Sequence, residues 1–458
     1  MTIWRAICQI CTITFLLAPV PSSSFCPPLS FGSQDLTRGA FLHLSGSIAS
    51  LAMGLGASSA SLSSPEKPPQ SKDFIRWGIV GLGDVCAQKA GPAFWKCDGA
   101  ELVAVMRRTP GAAAAWAREN VPGDQCTGYD DLKTFLQHPG LDAVYIATPP
   151  GAHLAVARQV AAAGLACYVE KPVGRCAAET EEMAKMFAAA GQKLFPAYVS
   201  RAHERTVAIR ALLAEGVVGD RVTCVRYMLR GTGGARGLGV EEAVLPWRLD
   251  AAQSGGGLVM DVGCHVVDRL DYLLGPLTGV TGTAQNRASP RQAVEDYVQL
   301  RATVGPCDWA PVTAEGAAVT CTWDFTPAWG EGGGEEEVDE LVIEGPGGSL
   351  VTAGMGAAAP VSVRDAAGRE VRRLAFAAPA HAAQPLVQAA TDELLGKRGA
   401  RCPADAAGAL RAARALDAAL EGYYGGRGPG YWERPEGWPG RQRRLPLPLP
   451  SSSSGAAV

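Results

Sequence analysis

The sequence predicts an α/β chain, with an N-terminal doubly wound parallel sheet followed by an α+β domain built on a mainly antiparallel sheet. Three observations carry this. A glycine turn, Gly81-Leu-Gly83, closes an apolar run that starts at Phe74. Short apolar strands then alternate with helix-patterned segments as far as Val199, which is the rhythm of βαβ units. Beyond Arg201 strand-like runs follow one another with little helix between them, which favours antiparallel pairing.

Residues 1–70 do not read as a domain. Arg5 precedes a modestly apolar run, Ala6 to Leu17, followed by a Ser-rich stretch whose only acidic residue before Pro65 is Asp35. The run is too short to span a bilayer stably. A signal-like start before a Ser-rich, acid-poor stretch is targeting composition. It resembles a two-part plastid presequence, with Phe25 at the cleavage region. A secretory leader, or a disordered leader on a cytoplasmic protein, remains open.

The dinucleotide-type domain is expected over residues 71–197. FIRWGIVGLG gives the first strand and turn. Strands follow at Glu101 to Met106, Asp142 to Thr148, Ala166 to Glu170 and Lys193 to Val199. Helices are expected at Gly111 to Asn120, Asp130 to His138, Ala152 to Ala163 and Ala177 to Ala190. The second domain is expected over residues 198–424. It opens with a helix, Glu204 to Glu215, then the strand RVTCVRYMLRG, a Gly-rich loop and a helix from Leu258 to Leu274. Strands follow at Tyr297 to Val304, Ala317 to Phe325, Val338 to Glu344, Gly348 to Ala353, Val361 to Arg364 and Glu370 to Leu374. Helices at Gln384 to Leu395 and Ala404 to Tyr424 close it. The Gly-, Pro-, Arg- and Ser-rich tail, 425–458, reads as disordered. The acidic run Glu331 to Glu337 reads as a solvated hairpin loop rather than a metal site.

Composition limits the function classes. Hydrophobic residues are 47% and charged residues 19% of 458, enough apolar mass for a real core. A net charge of −3 gives no electrostatic case for nucleic acid or an anionic membrane surface. The 13 cysteines are scattered, and the one CxxC, Cys8 to Cys11, lies in the leader. Single cysteines of this kind usually fill small buried sites in a reducing compartment, and no metal is expected.

The chemistry-bearing motifs fall at strand ends. Gly81 gives the turn backbone freedom, Gly83 lets the backbone approach a pyrophosphate, and Asp84 and Val85 open the following helix, whose N-terminus favours an anion. Cys86 stands at the third, small position. The second strand ends in Met106-Arg107-Arg108, where an NAD enzyme often places a carboxylate against the ribose. Two guanidinium groups suit a 2′-phosphate instead, so NADP(H) is favoured and NAD(H) remains possible. Lys171 and Glu170 end the ACYVE strand, at the edge where open α/β sheets bind ligands. Asp261 and His265 share one face of a helix. A carboxylate there can fix the imidazole's tautomer and raise its basicity, or the pair can be a structural hydrogen bond.

These segments together resemble the glucose–fructose oxidoreductase and inositol dehydrogenase (Gfo/Idh/MocA) family. The resemblance rests on GIVGLGDVCA, LVAVMRRT, DAVYIATPPGAH, YVEKPVG, PWRLDAAQSGGGLVMDVGCHVVDRLDYLLG and ELVIEGPGGSL, over about residues 73 to 424. The MRR and PWR segments look like its dihydrodiol and xylose dehydrogenase side. The resemblance implies a large open sheet in the second domain, used for homo-oligomers. It implies an NAD(P)-dependent oxidoreductase acting on a CH–OH group of a small polyol, sugar or diol. Lys171 carries over as the catalytic lysine, and Asp261 and His265 as the proton-transfer pair. Thr148, Pro149 and His153 carry over as lining of the cofactor cleft. Tyr198, Trp247 and Arg248 are candidate substrate contacts, with Arg201 and Tyr227 near the same element ends. Burial and the nicotinamide cation are expected to lower the Lys171 pKa. Two other readings stand beside this one: a glycosidase or lyase working through transient oxidation, and a non-catalytic dinucleotide sensor.

Overall fold

The computed structural model describes residues 73–231, 246–287, 292–313, 315–326 and 337–442. The expected presequence, most of the Gly-rich loop and all but the last residue of the acidic run lie outside them. The described residues belong to one unit, Pro69–Val458.

The first sheet has six strands: β1 (Ile75–Val80), β2 (Ala100–Met106), β3 (Thr127–Tyr129), β4 (Ala143–Ile146), β5 (Ala166–Val169) and β6 (Leu194–Pro196). They lie in the order β3-β2-β1-β4-β5-β6, and every pairing is parallel. Strands β4 and β5 are buried at every position, because helices cover both faces; this is why they read as unbroken apolar runs. The order reverses between β1 and β4. A crevice opens there at the strands' C-terminal ends, bordered by the turns after β1, β4 and β5.

The second sheet has eight strands: β7 (Cys224–Arg230), β8 (Leu277–Gln285), β9 (Tyr297–Val304), β10 (Ala317–Asp324), β11 (Val338–Gly345), β12 (Gly348–Thr352), β13 (Val361–Asp365) and β14 (Glu370–Leu374). Their order is β14-β13-β12-β11-β7-β10-β9-β8. Only β7 and β10 pair in parallel; the other pairings are antiparallel. Strand β8 escapes sequence reading. Its LTGVTGTAQ has no buried position, so it lacks the apolar alternation that marks a strand.

The helix Cys264–Leu274 buries Val266, Val267, Leu270 and Leu273. The helix Ala406–Tyr424 starts under a cap, with the Asp405 carboxylate accepting from the Gly408 N–H at 2.7 Å.

The expectation of disorder past Gly425 is corrected as far as Gln442. Arg427, Tyr431 and Trp438 are buried. The Arg427 guanidinium donates to the carbonyls of Gly255 (2.8 Å) and Arg175 (2.7 Å) and to Asp417 (2.7 Å). Two buried aromatic side chains and one arginine outweigh the Gly and Pro content, because they supply the apolar area that orders a segment.

Candidate active site

The turn after β1 is shaped by Gly81. Its φ is +100°, and a Cβ there would stand 2.8 Å from the backbone carbon of Ala147. Only glycine meets both conditions. Gly83 faces open space, with nothing within 4 Å of where a Cβ would be. The following helix is a single π turn, Val85–Ala90, cut short before Pro92. The helix expected to favour an anion at its N-terminus is only this one turn, so the room at Gly83 rather than a macrodipole is what the turn offers a diphosphate.

That turn opens onto a cavity of about 880 Å³. The cavity is lined by Gly81, Gly83, Asp84 and Val85, by Arg107 and Arg108 after β2, and by Thr148 and Pro149 after β4. Glu170, Lys171, Trp247, Arg248, Asp261 and His265 line the rest of the expected site. Arg107 and Arg108 are exposed. The Thr148 hydroxyl is buried and has no partner. A dinucleotide fits these features: a glycine turn with open space, a cationic strand end and an unused donor.

Lys171 and Asp261 meet across the cavity. The Lys171 Nζ donates to Asp261 Oδ1 at 2.6 Å and to the Asp261 carbonyl at 3.0 Å. Arg248 Nε takes the other carboxylate oxygen at 2.9 Å. Both oxygens are thus committed to cations, and the expected Asp261–His265 hydrogen bond is replaced by an Asp261–Lys171 ion pair. Residues 259–263 form a π-helical turn, with ordinary helix resuming at Cys264. The wider turn removes the strict four-residue face-sharing that an α-helix imposes, and leaves Asp261 on the lysine.

This pairing sets the charges. Burial pulls the Lys171 ammonium down, but Asp261 outweighs it and holds the group above its ordinary value. That reverses the expected lowering. Burial pushes the Asp261 carboxyl up, yet Lys171 and Arg248 hold it well below the usual carboxylate range. His265 goes the other way: burial, and then the Lys171 charge, push its imidazole well below 6.5. Burial raises Glu170 despite Lys171, and Tyr145 donates to it at 2.7 Å. The site therefore favours a charged ammonium donor beside a neutral imidazole, which is an acid/base pair separated by environment.

Four expected contacts stand elsewhere. His153 is fully buried and does not line the cavity. Its ring nitrogens lie 2.7 Å from the Thr148 carbonyl and 3.0 Å from the Val173 carbonyl, so it fastens the loop after β4 to the loop after β5. Tyr198 is buried with its ring edge-on to His265 at 6.3 Å, supporting the imidazole from behind. Arg201 pairs with Asp268 at 2.7 Å in the interior. Tyr227 packs against Trp323 beneath the second sheet. All four are apolar-bodied or long side chains near element ends, and sequence position alone does not say which way they turn. Among the lining residues that sequence reading missed are the polar groups Ser200, His203 and Arg269. Arg269 had a signal, because it lies four residues beyond His265 on the same helix.

The fold and this cavity define a two-domain dinucleotide-binding oxidoreductase. The pattern of the oxidoreductase family with an NAD-binding Rossmann fold matches residues 75–198, and that of the GFO/IDH/MocA C-terminal domain matches residues 206–350. The chain belongs to the Gfo/Idh/MocA family. It is 28% identical over 277 residues to Oxidoreductase P35 of Formosa agariphila, covering 60% of this chain and 78% of that one. It is 30% identical over 205 residues to the mouse trans-1,2-dihydrobenzene-1,2-diol dehydrogenase, covering 44% and 56%. The fold matches that of the aldose-aldose oxidoreductase from Caulobacter crescentus with a TM-score of 0.59 and 23% identity, over 76% of this chain and 98% of the other.

Proposed function

We propose that the protein is an NADP(H)-preferring oxidoreductase that interconverts a CH–OH group and a carbonyl in a small polyol, sugar or diol. The observation that carries this is the convergence of Lys171 and His265 on the cavity that begins at the Gly81–Val85 turn. A bound nicotinamide supplies the hydride acceptor or donor. The chain's own groups handle the proton and the charge. In oxidation the neutral His265 takes the hydroxyl proton as the C–H bond breaks. Lys171, kept charged by Asp261, donates a hydrogen bond to the reacting oxygen and stabilises its developing alkoxide. In reduction His265 returns the proton. Trp247 and Arg248 line the same cavity, with the guanidinium 4.3 Å over the indole ring.

The test is a spectrophotometric screen of polyols, aldoses and diols with NADP⁺ and NAD⁺. A stoichiometric rise in reduced cofactor is expected, faster with NADP⁺; product formation without net cofactor change contradicts it. The arginine argument has its own expected result. Arg107→Ala and Arg108→Ala each lower kcat/KM for NADP⁺ by roughly ten- to hundredfold, the worth of a charge-assisted hydrogen bond of about 1.5–3 kcal/mol. They leave NAD⁺ kinetics nearly unchanged. A wild-type preference for NAD⁺ overturns the NADP(H) assignment.

A further inference from the structure

The cavity continues past His265 to a polar wall that the chemistry above does not use. Arg269 stands on that wall and is 3% exposed. Its Nη1 donates to the Gly354 carbonyl, and its Nε has no partner. The carboxylates nearby are committed elsewhere. Asp268 holds Arg201, and Asp339 accepts from the N–H groups of Gly354 and Met355 at 2.8 and 2.9 Å. Among the described residues Arg269 therefore has no ion-pair partner. Arg205 adds to the imbalance. It is 1% exposed and bonded only to Thr352, Ala353 and Met355 oxygens.

Two further groups on the wall are left open. The Ser200 hydroxyl and His203 Nδ1 are buried and have no partner among the described residues. His203 Nε2 lies 2.9 Å from the Ala382 carbonyl, so that nitrogen carries the proton and Nδ1 presents a lone pair. The wall thus offers a guanidinium, a hydroxyl donor and an imidazole acceptor, none matched from within. Burial of Arg269 outweighs the pull of Asp339 and Asp268, which act on it without a direct ion pair, so its charge is incompletely compensated; buried polar atoms are normally satisfied. A ligand with the complementary set would remove both penalties.

We propose that this wall binds the carboxylate and a neighbouring hydroxyl of a polyhydroxy acid, an aldonate or uronate, which is the substrate of the reaction proposed above. Arg269 and Ser200 donate to the carboxylate. His203 Nδ1 accepts from the hydroxyl. Arg269 is one helical turn, about 6 Å along the axis, beyond His265, a distance that a sugar-sized skeleton spans. A single guanidinium with one arm already used matches a monoanion; a phosphate dianion calls for more donors than the wall has.

The inference rests on the oxidoreductase reading, and the experiment separates the two. Matched pairs are compared with NADP⁺ present: D-glucuronate with D-glucose, D-galacturonate with D-galactose, D-gluconate with sorbitol, and D-glucose 6-phosphate as the competing anion. Thermal unfolding midpoint reports binding, and reduced-cofactor absorbance reports turnover. At least one acid is expected to raise the midpoint where its neutral partner does not, and to have a kcat/KM at least tenfold higher. Arg269→Gln brings that ratio close to one. Ser200→Ala, which breaks no internal bond, lowers it severalfold without altering the midpoint of the free protein. Equal responses to acid and neutral partners, a larger response to the phosphate ester, or ratios unchanged in both variants would overturn the inference. Binding of an acid without turnover of any compound would instead contradict the oxidoreductase reading.

Discussion

Replacing Lys171 with methionine lowers kcat by about 10²–10⁴-fold, the usual range for a positioned proton-transfer or charge-stabilising group, and leaves NADPH affinity within a few-fold of the native value. The reason is placement. Lys171 follows β5 directly, inside the crevice, and its Nζ is the one ammonium that the structure holds against Asp261. Methionine keeps the stem and removes the charge, so the cavity retains its shape and the developing alkoxide loses its donor. His265→Asn is expected to cause a comparable fall, because no other described imidazole lines that stretch next to Lys171 and Asp261. Steady-state absorbance gives kcat, and fluorescence titration gives cofactor affinity. Near-native turnover in both variants contradicts the assigned roles.

The second large effect is expected at Asp261. Asp261→Asn leaves Lys171 and Arg248 mutually repelling and partly buried, a loss of at most about 3 kcal/mol of stability, the lower end for a fully buried pair that loses one partner. The sign of its pH dependence follows from the two shifts. Lys171 is raised above its ordinary 10.5, so its contribution is complete below that value and fades as pH rises through the folded-state value. Asp261 is lowered below 3.8, so its contribution is complete above that value and fades as pH falls through the folded-state value. The native pair therefore holds across the whole range between about pH 4 and 10. In the Asn variant the largest attraction opposing burial is gone, so the Lys171 pKa falls and the alkaline limb of the kcat profile moves toward neutral pH. His265 works in the opposite sense. Its lowered pKa means the unfolded chain binds the extra proton, so its contribution to stability drops as pH falls below 6.5. The acid limb of the oxidation rate accordingly lies below pH 6.5. Denaturant titration and pH–rate profiles of both proteins check these outcomes.

Much of this architecture is legible in the residues. Buried parallel strands announce themselves as apolar runs, and Gly81, Lys171, Asp261 and His265 are identifiable because each sits at the end of a strand or within a patterned helix. What stays hidden depends on side-chain direction and local helix geometry. The π turn at Val259–Gly263 carries no clear residue signature, yet it decides that Asp261 serves the lysine and not the histidine. The family resemblance of the loop Thr148 to His153 carries His153 over as a cleft residue, but the helix Pro150–Ala162 turns it inward onto two carbonyls. The segment after Gly425 was misread because its bulk composition hides a few anchoring aromatics. Strand β8 was missed because an edge strand with no buried position lacks the alternation that sequence reading depends on.

The most direct test is a crystal structure of the protein with NADP⁺. The account predicts the diphosphate against the backbone of Gly81–Val85, the 2′-phosphate beside Arg107 and Arg108, and the nicotinamide ring within reach of both the Lys171 amine and the His265 imidazole. A cofactor seated with its nicotinamide away from those two side chains, or a turn at Gly83 that does not admit the diphosphate, would contradict it.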